Sequence, residues 1–123
     1  MKETLSHAVF VYGTLMRGER AEHLMADGEF AGEYVLSGYA LYDLGRYPGI
    51  LAKAGAEVAG EVYYVSDAML EAMDEYEDEG TLYHRRKVKV KGENGLLEVW
   101  VYVYAHAHTV SKPPMGRSWR EKQ

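Results

Sequence analysis

Apolar positions along this chain fall in short continuous runs or alternate with polar ones, a pattern that predicts strands more often than helices. Residues 8–12 are β-branched and aromatic and stop at Gly13, the pattern of a buried first strand that ends in a turn. Ala21, Leu24 and Met25 give residues 19–27 the spacing of a short helix closed by Asp27 and Gly28. Residues 29–37 and 39–44 read as two strands broken at Gly38, and 45–49 as a constrained Gly-Pro loop. Two further strands, 50–53 and 57–65, flank an Ala/Gly turn. Ser66 and Asp67 supply capping oxygens for the best helix, 68–79, with Gly80 just beyond it. Residues 83–91 alternate valine with lysine as a half-exposed strand does, 96–104 are apolar enough for a central strand, and Asn94-Gly95 between them is a hairpin signal. Pro113 and Pro114 block further pairing in the tail, where a lone Trp119 is placed to dock back onto the body.

Six or so strands with two short helices and no βαβ repeat indicate an α+β domain. The expected architecture is a small mixed β-barrel or strongly curved sheet. A length of 123 residues suits a single domain over 1–123, with a core at about 8–105 and a polar tail at 106–123, burying about two-thirds of its unfolded surface. Hydrophobic residues at 47% and charged residues at 27% exclude a disordered chain. The net charge of −5 argues against nucleic acid, and the lack of cysteine removes disulfides, thiol nucleophiles and cysteine-rich zinc sites. Without a signal-like start or an apolar run near the ~20 residues of a membrane span, no membrane association is expected and the cytoplasm is the expected location.

Four features bear on chemistry. In Tyr12-Gly13-Thr14-Leu15 a strand stops at a glycine, which permits positive φ and close backbone approach, so successive N–H groups are able to face an anion such as a carboxylate. The alternative is a plain strand-to-loop turn. Gly13 and Gly18 also frame G-x-x-x-x-G, but Glu19 and Arg20 stand where a phosphate loop needs Lys and Ser or Thr. On the 68–79 helix, at about 100° per residue, Leu70, Met73 and Glu77 span an arc of about 60°, which Met69 and Tyr76 widen to about 120°. Glu71, Asp74, Glu75, Asp78 and Glu79 fall on the solvated side, so Glu77 is the one carboxylate on the apolar stripe. Desolvation there makes it a candidate proton shuttle; the alternatives are that it reaches water from the frayed helix end or pairs with Arg85 or Arg86. His106 and His108 would share one face of a strand, yet no third ligand stands near, so no metal is expected. The basic stretch from His84 to Lys91 is more simply paired with the acidic helix than with nucleic acid.

Val9-Phe10-Val11-Tyr12-Gly13-Thr14-Leu15-Met16-Arg17-Gly18, Gly60-Glu61-Val62-Tyr63, Met73-Asp74-Glu75-Tyr76-Glu77 and Leu82-Tyr83-His84-Arg85, in that order, resemble the gamma-glutamyl cyclotransferase-like superfamily. The likeness runs from about Val9 to Tyr104 and is greatest to the short gamma-glutamylamine cyclotransferase branch. It implies a small mixed barrel whose cavity is bounded by a Tyr-Gly-Ser/Thr-Leu loop and holds one essential glutamate. Here these fall on Tyr12 to Leu15 and on Glu77, with Met73 in place of the usual leucine; Glu75 and Glu79 are weaker candidates. Some members of the superfamily have lost that glutamate, whereas this chain keeps it.

The resemblance implies an enzyme of acyltransferase or lyase type that uses neither metal nor cofactor. A small gamma-glutamyl amide would be converted to 5-oxoproline and an amine or amino acid by attack of its own α-amine on its γ-carbonyl. Glu77 would move the protons, the backbone N–H groups of Gly13, Thr14 and Leu15 would hold the α-carboxylate or the oxyanion, and Tyr12 would wall the pocket. The alternative is a non-catalytic module that binds a glutamyl-like metabolite or a protein tail in the same cavity. Retention of Glu77 favours catalysis. The particular substrate and the oligomeric state are not written in these residues.

Overall fold

The computed structural model describes residues 4–121. Five strands, β1 (His7–Val11), β2 (Glu29–Asp43), β3 (Pro48–Val65), β4 (Tyr83–Gly92) and β5 (Gly95–Tyr104), close into a barrel in the order β1-β3-β2-β4-β5. One α-helix, α1 (Asp67–Glu77), follows β3. Most neighbours are antiparallel, but β1 meets β5 in parallel through Val9 and Trp100, which makes the barrel mixed as expected. The other narrow seam, between β2 and β4, pairs Val35 with Lys91.

Fewer, longer strands replace the six or so expected. The two segments separated at Gly38 are one strand, as are the two separated by the Ala/Gly turn. Their pairing jumps from Ser37–Glu57 to Tyr39–Ala52, so Gly38 on β2 faces the excursion of Lys53, Ala54, Gly55 and Ala56 on β3. Gly38 takes a φ of +85°, a conformation that costs glycine little, and bends the strand without ending it. Such bulges give long strands the coil that barrel closure requires.

The expected helix at 19–27 contracts to a 3₁₀ turn, Glu22–Met25, whose Ala21 has no side chain to cap it. Helix α1 is capped as read, with Ser66 Oγ accepting from the Met69 amide at 3.2 Å. It stops before Gly80 because Asp78 already adopts the left-handed conformation at φ +55°. At the hairpin, Gly92 pairs with Gly95 and the turn is Glu93-Asn94, one residue earlier than the Asn-Gly signal suggested.

Val9, Phe10, Ile50, Val62, Val99 and Val101 are wholly buried, so both faces of β1 are covered. The tail is more than polar trim. Trp119 is 7% exposed and belongs to this core, so the apolar body extends well past residue 105. Among the described residues no helix is long and apolar enough to cross a membrane.

Candidate active site

The end of β1, the loop after it, the end of α1 and the inner face of β5 enclose a cavity of about 240 Å³. The loop is held by its own backbone: the Met16 amide donates to the Gly13 carbonyl at 3.1 Å and the Ala21 amide to the Thr14 carbonyl at 2.9 Å. Tyr12, Gly13, Thr14 and Leu15 all line the cavity, and all are buried. No hydrogen bond among the described residues engages the amides of Thr14 and Leu15. Buried N–H groups without partners are costly, and two such amides on residues that line a cavity are available to an anionic or carbonyl ligand.

Of the two reasons expected for a glycine at 13, positive φ does not apply, and the close approach that is seen is to Pro48. The φ of Gly13 is ordinary, but a Cβ there would lie 2.6 Å from Pro48 Cγ and 2.9 Å from Pro48 Cδ. Only a glycine lets the loop lie this close to the start of β3.

Glu77, from the last turn of α1, lines the same cavity and is its only carboxyl among the described residues. Removal from water raises its pKa from 4.5 to about 7. It makes no ion pair with Arg85 or Arg86. Arg85 instead approaches Asp74 at 2.9 Å, and Asp74 Oδ1 also accepts from Tyr102 Oη at 2.7 Å. Asp74 is therefore not on the solvated side as the wheel placed it. It lies about 40° from Leu70, close enough to the apolar stripe to meet the barrel. Glu75 and Glu79 are exposed and line no part of the cavity.

Periodicity did not single out the tyrosines that complete the wall. Tyr12 Oη donates to the Tyr102 carbonyl at 2.6 Å, and Tyr83 Oη donates to the Pro48 carbonyl at 2.5 Å. Burial raises the pKa of Tyr12, Tyr83 and Tyr102, and the charge of Glu77 adds to each shift. These phenols stay protonated and point their protons at fixed acceptors, so they shape the pocket and leave proton exchange near neutrality to Glu77. Arg20 reaches the rim, held by the Arg46 carbonyl at 2.7 Å, and is the cavity's one guanidinium among the described residues. Tyr12 lies in the loop motif and Tyr83 in one of the family-like segments, whereas for Tyr47 and Tyr102 the nearest sequence signal is a high tyrosine count, 11 in 123, which does not say where the rings converge.

His106 precedes and His108 lies within a 3₁₀ turn, Ala107–Thr109, instead of the two sharing a strand face, and His106 Nε2 is bonded to the Thr81 carbonyl at 2.8 Å. Among the described residues no group of metal-ligating side chains forms. In the basic stretch, Arg85 meets the acidic helix as expected, whereas Lys87 pairs with Glu98 of β5 at 3.9 Å and lies over the Trp100 ring.

The chain is 37% identical over 119 residues to a Vibrio cholerae protein provisionally named a gamma-glutamylcyclotransferase, covering 96% of this chain and 99% of that one. A gamma-glutamylaminecyclotransferase of Bos taurus is 37% identical over 109 residues, covering 79% of this chain and 65% of that one. Among solved structures, an AIG2-like protein from Mus musculus superposes with a TM-score of 0.85 at 26% identity, covering 95% of this chain and 90% of that one. The profile of the family described as gamma-glutamyl cyclotransferase, AIG2-like, matches residues 9–121, and the chain belongs to that family.

Proposed function

We propose that this protein is a gamma-glutamyl cyclotransferase that releases 5-oxoproline and an amine or amino acid from a small gamma-glutamyl amide. The observation that carries this reading is the pairing, in one cavity, of a carboxyl group with a pKa near 7 and a wall bearing unengaged amides. The names of the relatives from Vibrio cholerae and Bos taurus point to the same chemistry.

Cyclisation needs little from a protein beyond folding the glutamyl chain and moving protons, because nucleophile and electrophile belong to one molecule. Glu77, as the carboxylate, accepts a proton from the substrate α-ammonium. The freed nitrogen attacks the γ-carbonyl carbon, a C–N bond forms, and the amides of the 13–15 loop face the developing oxyanion or the α-carboxylate. The amide C–N bond then breaks as Glu77 returns a proton to the leaving nitrogen. A second proton lost by the attacking nitrogen departs with the amine, which is released as an ammonium ion. A pKa near 7 suits both halves of this exchange. The cavity volume of about 240 Å³ accommodates the glutamyl part, with the remainder of the substrate toward the rim at Arg20.

The test is incubation with a panel of gamma-glutamyl amides, gamma-glutamyl amino acids and gamma-glutamyl-ε-lysine, following 5-oxoproline by mass spectrometry. Turnover of at least one compound, abolished by Glu77→Gln, is the expected result. Tight binding of panel members without any turnover would replace this reading with a binding module.

A further inference from the structure

The segment from Met115 to Arg120 runs back across the barrel and reaches the turn at 16–19, which follows the cavity loop. Backbone bonds guide it: the Met115 amide donates to the Leu41 carbonyl at 2.9 Å, and the Ala59 amide to the Arg117 carbonyl at 2.7 Å. An ion pair between Arg117 and Glu57 at 2.5 Å adds a third tie. Trp119 then enters the core, which fixes the next residue, Arg120, over the turn at 16–19.

Arg120 makes its contacts on this turn and on the carboxylate beneath it. Its guanidinium donates to the Arg17 carbonyl, lies 3.2 Å from Met16 Sδ and 3.9 Å from Glu19, and reaches Glu61 Oε2 at 3.3 Å. Glu61, on β3, is 2% exposed, a burial that a carboxylate tolerates only with close partners. It has them: Oε1 accepts from the Arg17 amide at 2.9 Å, and Oε2 lies 3.4 Å from Arg17 Nε. The turn at 16–19, which directly follows Thr14 and Leu15, is thus pinned by a buried carboxylate and by the Arg120 guanidinium. An arginine fork spans three such acceptors at once, which a point-charge ammonium does not.

We propose that Trp119 and Arg120 form a strap that sets the position of the cavity loop, with Arg120 and Glu61 as positioning residues for the ligand held by that loop. Trp119 supplies the burial and Arg120 the direction. The proposal rests on the reading that the loop binds the gamma-glutamyl part, and it assigns a functional role to a segment outside the cavity.

The experiment compares wild type, Arg120→Ala and Arg120→Lys in the full chain by amide hydrogen exchange and by steady-state kinetics on the best gamma-glutamyl substrate of the panel. For Arg120→Ala, the hydrogen-bonded amides of Met16 and Arg17 should exchange about tenfold faster while the β4–β5 hairpin is unchanged. KM should rise about tenfold with kcat within about twofold, the scale of one lost charge-assisted hydrogen bond expressed in binding. Arg120→Lys should recover part of both effects. Unchanged exchange at Met16 and Arg17, equal acceleration in the hairpin, or a fall in kcat with KM unmoved each overturns the strap. If wild type turns over no panel member, the cyclotransferase reading fails by itself, and the exchange comparison still decides whether Arg120 holds the loop.

Discussion

The hydroxyl of Tyr76 stands 2.7 Å from Oγ1 of Thr14, joining the helix that carries Glu77 to the loop that carries the unengaged amides. The two residues are 62 positions apart, and Tyr76 immediately precedes Glu77, so this bond ties the cavity's carboxyl-bearing helix end and the 13–15 loop into one unit. Tyr76 is 41% exposed, which leaves the bond at the rim, where ligand and solvent meet.

Removing either hydroxyl should therefore loosen the relation between Glu77 and the loop without unfolding the barrel. Tyr76→Phe and Thr14→Val are each expected to lower kcat/KM by roughly fivefold to tenfold, the value of one hydrogen bond, with melting temperatures nearly unchanged. The double variant should be no worse than either single one, since both remove the same bond. Additive losses would show that the two hydroxyls act separately.

Glu77→Gln preserves shape and polarity and removes proton exchange. A loss of roughly 10²- to 10⁴-fold in kcat is expected, the range of a positioned acid–base group, with substrate binding retained. Glu75→Gln is the control and should be nearly silent, because Glu75 is exposed two residues away from the cavity's carboxyl. Equal kcat/KM for Glu77→Gln and wild type would remove Glu77 from the mechanism.

A carboxyl with a folded-state pKa of about 7 and an ordinary value of 4.5 binds more protons in the folded than in the unfolded chain between those pH values. Folding stability contributed by this group is therefore full below about pH 4.5 and declines as pH rises toward 7. Above pH 7 the charge in the cavity costs the fold about 3 kcal/mol, a cost that Glu77→Gln avoids. The variant should melt above wild type at pH 8, with the gap closing toward pH 4.5. Activity runs the other way: kcat/KM should rise with pH through an apparent pKa near 7, as the form of Glu77 that accepts a proton becomes populated. A melting difference that is the same at pH 5 and pH 8 would show that Glu77 is not desolvated.

Local pattern was enough to read the strand content, the Ser66 cap and the apolar face of α1, because each rests on residues within a few positions of one another. Strand number was misread where glycine bends rather than ends a strand, since Gly38 obeys a pairing partner some fifteen residues away that its neighbours do not reveal. Asp74 shows the matching limit of the helical wheel, which marks a face but not what packs on its edge; here Arg85 and Tyr102 do. Tyr47, Tyr83, Tyr102 and Arg20 come to the cavity from four separate elements or loops, and only barrel closure brings them to Glu77.

Arg20 is the cavity's one guanidinium among the described residues, and in the proposed reaction it would lie beyond the glutamyl part of the substrate. Substrates whose leaving group carries a carboxylate should gain from it. Arg20→Met is expected to lower kcat/KM for gamma-glutamyl amino acids about tenfold more than for the corresponding gamma-glutamyl alkylamides. An equal loss for both classes would instead assign Arg20 to the α-carboxylate, which all of them share.

Gly13→Ala tests the close packing of the loop. The new methyl would lie 2.6 Å from Pro48 Cγ, and the proline ring has little room to yield because its carbonyl is held by Tyr83. Either the loop or the start of β3 must move, at a cost of about 1 to 3 kcal/mol for such overpacking. Binding of 5-oxoproline should weaken about tenfold or more, whereas Thr14→Ser, which keeps both the backbone and the hydroxyl that meets Tyr76, should change little. A second substitution separates the two ways in which the methyl acts. Pro48→Ala removes both atoms that the methyl would strike, so the double variant Gly13→Ala with Pro48→Ala should regain most of the lost melting temperature relative to Pro48→Ala alone. If calorimetry shows that ligand binding returns with it, Gly13 matters through its packing on Pro48. If stability returns and binding does not, the methyl intrudes on the ligand itself and the loop backbone approaches it directly. A double variant as unstable as Gly13→Ala would exclude Pro48 as the obstacle and refute the packing account of this glycine.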